Sequence, residues 1–131
     1  MEFKIINLKD TPYYEDCESE NALYCELSYK RHAGSFAAMV FEFTDDGRAV
    51  TYNCNYVERI ITEIDKYDNL RIGCDDEYIK SIVEKYNQLN HPIGIKIHFL
   101  LYSDLRSNRV LFERLTELIM YMADKEMIYT K

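Results

Sequence analysis

"HPIGIKIHFLLY", residues 91–102, is the stretch on which the fold turns. Ile93, Ile95, Ile97, Phe99 and Leu101 fall on every second position. That spacing predicts a strand with these five side chains on one face. Lys96 and His98 then lie on the opposite face. What flanks this strand decides the fold class.

Downstream, "SDLRSNR" leads into a predicted helix from about 107 to 123. Val110, Leu111, Leu115, Leu118, Ile119 and Met122 are its expected core-facing residues. "MIYT" (127–130) adds an edge strand or docks on the sheet. Upstream, "DDEYIKSIVEKYNQL" (75–89) reads as a second helix, capped by Asp75 or Asp76. Tyr78, Ile79, Ile82, Val83 and Tyr86 form its apolar stripe, and acids occupy the first turn, where they suit the helix dipole. A third helical stripe runs through "NYVERIITEIDKY" (55–67), on Tyr56, Val57, Ile60, Ile61, Ile64 and Tyr67. Asn55 and Glu58 there match a capping box.

The first half has a different period. "FKIINL" (3–8) predicts a short strand. In "ALYCELSYKR" (22–31), Leu23, Cys25, Leu27 and Tyr29 alternate with Tyr24, Glu26, Ser28 and Lys30. "SFAAMVFEF" (35–43) is apolar on both faces, as a central strand is. "TDDG" (44–47) has hairpin-turn chemistry, because Asp-Gly tolerates positive φ. "RAVTYN" (48–53) is then expected to pair back on 35–43. Strands dominate the first half and helices the second. The expectation is one α+β domain over residues 1–131: a mainly antiparallel sheet of about four to six strands, with three helices packed on one face.

The totals agree with that size. A chain of 131 residues, 47% apolar and 30% charged, fits one core. No apolar run approaches the ~18 residues of a membrane span, and "MEFKIINLKD" lacks the basic and apolar regions of an export signal. The expected location is cytoplasmic. Cys17, Cys25, Cys54 and Cys74 are therefore expected to be reduced. Cys25 falls in an apolar alternation and reads as a small buried hydrophobe. A net charge of −7 disfavours direct binding to nucleic acid or to anionic membranes, and permits a basic protein partner.

Chemistry-bearing patterns are sparse. The cysteines are too far apart, and His32, His91 and His98 too scattered, for zinc-ligand spacing. No metal or cofactor is expected. "DTPYYEDCESEN" (10–21) gathers Asp10, Glu15, Asp16, Glu18 and Glu20 with no Lys or Arg. It lacks the ordered spacing and the glycine of a calcium loop. Its carboxylates also suppress the Cys17 thiolate. Tyr13, Tyr14 and Tyr24 have no core position in the pattern and read as interface anchors. "YSDLRSNR" (102–109) is an alternative anion-binding stretch through Arg106 and Arg109, with Asp104 or Ser107 as a helix cap. No partner for a catalytic His98 is evident from spacing.

In the acidic stretch "YYEDCESE" and the acidic turn "TDDG", and in its size, acidity and α+β pattern, the chain resembles bacterial toxin-immunity proteins and phage-encoded inhibitors. The resemblance implies a small inhibitor, not an enzyme, that blocks a basic partner such as a toxin, a nuclease or another nucleic-acid-binding effector. The contact residues expected on the chain are Tyr13, Tyr14, Glu15, Asp16, Glu18, Glu20, Tyr24, Asp45 and Asp46. The alternatives are an enzyme holding an anionic substrate near Arg106 and Arg109, and a subunit of a larger assembly that docks through sheet edges or "FAAMVFEF" (36–43).

Overall fold

The computed structural model describes residues 2–13, 17, 19–29, 34–45, 50–52, 59–61, 70–103 and 105–124. It is an α+β fold. The strands are β1 (Glu2–Asn7), β2 (Leu23–Tyr29), β3 (Ser35–Thr44), β4 (Val50–Tyr52), β5 (Arg59–Ile61), β6 (Leu70–Gly73) and β7 (Gly94–Ser103). The helices are α1 (Asp76–Leu89) and α2 (Arg109–Asp124). The sheet runs β1-β2-β3-β7-β6-β5, with β4 paired to β7 off that path. All pairings are antiparallel except β4 with β7, which is parallel.

β7 is the centre. One edge pairs with β3. The other is shared end to end, by β4 at Ile95–Ile97 and by β6 at Leu100–Ser103. The register against β3 slips by one at a bulge: Val40 faces Phe99, but Phe41 faces Ile97, so His98 is the surplus residue. The slip changes which side chains face which layer. Ile95 and Ile97 face the helices, joined by Leu100 and Tyr102. Phe99 and Leu101 turn to the other face. The five-residue stripe expected on one face is therefore split in two, because a bulge re-aims every side chain beyond it.

Two cores result. The larger lies under the helices and includes Leu27, Met39, Phe41, Ile82, Tyr86, Phe112 and Leu115. Tyr78 ties its layers together, stacked at 4.6 Å on Phe112 and edge-on at 5.4 Å to Tyr102. The smaller core covers the opposite face with Leu8, Tyr13, Ala22, Tyr24, Val40 and Phe99. Helix ends follow local chemistry. The Asp75 carboxylate accepts from the amides of Glu77 and Tyr78 and starts α1. Asn90, at φ 50°, ends it in the left-handed conformation that asparagine tolerates. The Tyr86 hydroxyl then donates to the Ile93 carbonyl at 2.6 Å and fixes the approach to β7.

Three expectations are corrected. The helix over 55–67 is not formed at its centre, where Arg59–Ile61 is a strand on β6; pairing with β6 overrides the helical period there. Two helices, not three, are present among the described residues. β4 does not form a hairpin with β3: β7 occupies the edge between them. The middle of "FAAMVFEF", Ala37–Phe41, is buried in a strand paired on both edges. Cys74 is disulfide-bonded rather than reduced, while Cys17 and Cys25 are not in disulfides; pairing depends on Cβ proximity, which chain spacing does not reveal. Burial pushes the Cys25 thiol up, and it donates to the Met39 carbonyl, as an inert core residue does. "MIYT" lies outside the described residues. No described helix is long and apolar enough to cross a membrane.

The bulge makes a specific demand on deletion. Removing His98 leaves Ile97 against Phe41 and Phe99 against Val40, with every face preserved. His98 deletion should fold cooperatively and cost about 1–3 kcal/mol in urea unfolding. Loss of cooperative unfolding would mean that His98 is not surplus to the register.

Candidate functional site on the second face of the sheet

The chain between β1 and β2 folds back on itself. The Leu8 amide donates to the Ala22 carbonyl at 3.1 Å and closes the segment at its base. A 3-10 turn at Leu8–Asp10 follows β1. Thr11 stabilises it, its hydroxyl donating to the Leu8 carbonyl at 2.8 Å and accepting from the Tyr13 amide. Leu8, Thr11, Tyr13 and Ala22 are buried, while Asp10, Pro12 and Glu20 are exposed. Such closed, internally pegged segments are Ω-type loops.

Tyr13 and Tyr24 do have core positions. Tyr13 stacks on Tyr24 with ring centroids 5.6 Å apart, and both are under a tenth exposed. The Tyr24 hydroxyl donates to Glu26 at 2.6 Å. Burial, then the Glu26 charge, pushes the Tyr13 phenol up to about 12 and raises Tyr24 further. These rings peg the loop to the sheet and are not free anchors for a partner. Sequence alternation misses them because the loop, not a helix, covers this face of β2.

Beside the rings is a polar group that sequence reading overlooks. Glu42 of β3 accepts from His98 Nε2 at 2.5 Å and from the Ser19 side chain of the loop. Lys96, its register partner on β7, adds positive charge. Both Glu42 and His98 are mostly covered, at 20% and 14% exposure. Burial alone raises the Glu42 carboxyl. The hydrogen bonds from Ser19 and His98, with the charges of His98 and Lys96, outweigh it and hold the carboxyl below its ordinary value. The signal in the sequence was a lone carboxylate within an apolar strand, since such a group needs a partner.

The order of contacts limits the chemistry. The Ser19 hydroxyl bonds to the Glu42 carboxylate, whose lowered pKa makes it a weak base for activating that hydroxyl. The arrangement is a cross-link between loop, β3 and the bulge of β7. Among the described residues, no three His, Cys, Asp or Glu side chains converge on one point.

The remaining expected residues are dispersed. Glu20 is exposed on the loop, and Asp45 is exposed just beyond the end of β3. Tyr14, Glu15, Asp16, Glu18 and Asp46 lie outside the described residues. Arg106 sits at the opposite end of β3, where its Nε donates to the Gly34 carbonyl and its guanidinium lies 5.6 Å from the Phe36 ring centroid. Ser107 donates to the Phe36 carbonyl, and the Phe36 amide donates to the Arg106 carbonyl. Arg106 therefore clamps the start of β3. Arg109 is exposed at the first residue of α2. The cap of that helix is Asn108, which accepts from the Leu111 amide, rather than Ser107, and Asp104 lies outside the described residues.

The chain matches no known family, no curated protein and no solved structure.

Glu42 sets a pH dependence with a definite sign. Its folded carboxyl titrates below the ordinary glutamate value of 4.5. Its contribution is complete above that value and is lost as the pH falls through the lower, folded one. Urea midpoints of the wild type should fall more steeply below pH 4.5 than those of Glu42→Gln. Parallel curves would show that Glu42 is not differentially stabilised.

Proposed function

We propose that the chain is a small acidic binding protein that docks on, and blocks, a basic protein partner such as a toxin or nuclease. The observation that carries this reading is the closed loop. Residues 10–21 contain five carboxylates and no Lys or Arg. The loop base is hydrogen-bonded, and Tyr13 is stacked into the sheet. Anchoring the loop through its rings reduces the conformational cost of presenting its charges. The chain's net charge of −7 adds long-range steering towards a positive surface.

The rings and the acids thus divide the work differently from a simple aromatic-anchor interface. Tyr13 and Tyr24 support the loop from beneath, and the carboxylates make the contact. Asp45, exposed just beyond the end of β3, extends the acidic set, and Asp46 follows it in the sequence. Arg106 supplies no comparable support for an anionic-substrate enzyme, because its guanidinium is engaged by the Gly34 carbonyl and the Phe36 ring.

Capture of binding proteins from the source cell tests the reading. The wild type should retain a basic protein at low salt and release it at high salt. Changing Glu15, Asp16, Glu18 and Glu20 together to amides should slow association about tenfold or more and flatten its salt dependence. Unchanged association of the same partner would remove the loop as the docking surface.

A further inference from the structure

α2 buries Leu111, Phe112, Leu115, Ile119 and Met120 against the sheet and α1. Its opposite face is a stripe of Val110, Arg114, Glu117 and Tyr121. Val110 was expected in the core, yet it is 71% exposed, and Tyr121 is 56% exposed. Between them, the side chains of Arg114 and Glu117 are 47% and 38% exposed. The four residues are spaced four, three and four apart, which is the seam spacing of packed helix pairs.

The stripe is complementary to itself. A two-fold axis crossing α2 between residues 115 and 116 reverses the order of the four. It sets Val110 of one copy opposite Tyr121 of the other, and Arg114 opposite Glu117. Shape agrees with charge. A cleft of about 440 Å³ opens beside Tyr121, lined also by Leu89, His91 and Leu118. The reversed helix brings its protruding Val110 to this cleft, twice by symmetry. Within one chain, Arg114 and Glu117 are only 3.9 Å apart, in an exposed i,i+3 pair. Such pairs are weak and exchange readily for an interchain partner.

We propose that the outer face of α2 is an interface between two copies of this chain, packed antiparallel about the helix midpoint. The contact of two helices of this length buries no more than about 1,200 Å², the low end of specific interfaces. A contact of that size suits a reversible dimer. The acidic loop lies on the other face of the sheet, so pairing through α2 leaves both loops open. The inference stands independently of the inhibitor reading.

Sedimentation equilibrium of the full chain, from micromolar to near-millimolar, tests it. The mass should rise from 15.6 kDa towards twice that value. Arg114→Glu and Glu117→Arg should each weaken self-association at least about tenfold, by setting like charges across the axis. Mixed in equal amounts, the two variants should recover a heterodimer, because both interchain pairs then become complementary. An intrachain role for the pair does not produce that recovery. A wild type that stays at 15.6 kDa throughout overturns the proposal. So do single variants that associate like the wild type, or a mixture that stays monomeric. Both positions are exposed, and unchanged circular dichroism confirms that the variants are folded.

Discussion

β7 hydrogen-bonds to three strands, and the place where its second edge changes partner is the place where its first edge slips register. β4 covers that edge up to Ile97, β6 covers it from Leu100, and His98 bulges against β3 between the two. The bulge adds one residue and so inverts the facing of everything beyond it. This gives both layers their contents. Leu100 and Tyr102 complete the core under α1 and α2, while Phe99 and Leu101 supply an apolar floor to the opposite face. A regular strand would leave that second face with Lys96, His98 and Leu100, too polar a surface for the loop after β1 to cover.

The same bulge presents the His98 imidazole to Glu42. A carboxylate partly buried in an apolar strand is costly unless hydrogen-bonded. Here the partners come from two places distant in the chain, the bulge and Ser19 of the loop. Glu42 thereby joins the loop to the sheet at one end, while the Tyr13–Tyr24 stack joins it at the other. The polar contact supplies orientation and the rings supply burial. The cost of placing an ionised group there is offset by fixing the loop's position.

How much of this was legible in the sequence follows from the length and isolation of each signal. Long elements with one dominant period were readable: β2, β3, α1, α2 and the existence of β7. The cap at Asp75 was readable because a carboxylate preceded a clean helical stripe. β5 was not, because three residues of strand sit inside a helical period and depend on an edge that only tertiary structure provides. The bulge was not, because "IKIHFLLY" alternates equally well through His98; the doubled apolar pair Leu100–Leu101 was the only trace. Val110 was misplaced for a related reason. It adjoins Leu111 at the edge of the stripe, but its helical position falls on the outer face while Leu111 and Phe112 are buried. The loop's tyrosines were misjudged because covering a sheet with a closed loop has no period at all.

The placement of the two candidate surfaces follows from the layers. The loop after β1 covers one apolar face of the sheet with Leu8, Tyr13 and Ala22, and its described acids, Asp10 and Glu20, are exposed. The helices cover the other face, and α2, packed through one side, has an outer side whose composition nothing in the core dictates. Residues in such a position are usually charged throughout. Val110 and Tyr121 depart from that pattern at symmetric distances from the helix midpoint, with opposite charges between them. One surface carries the loop proposed above to meet an unlike partner. The other is balanced in charge and matches its own reversal. The buried base of the loop and α2 pack on opposite faces of the sheet, so the two proposals do not compete for one face.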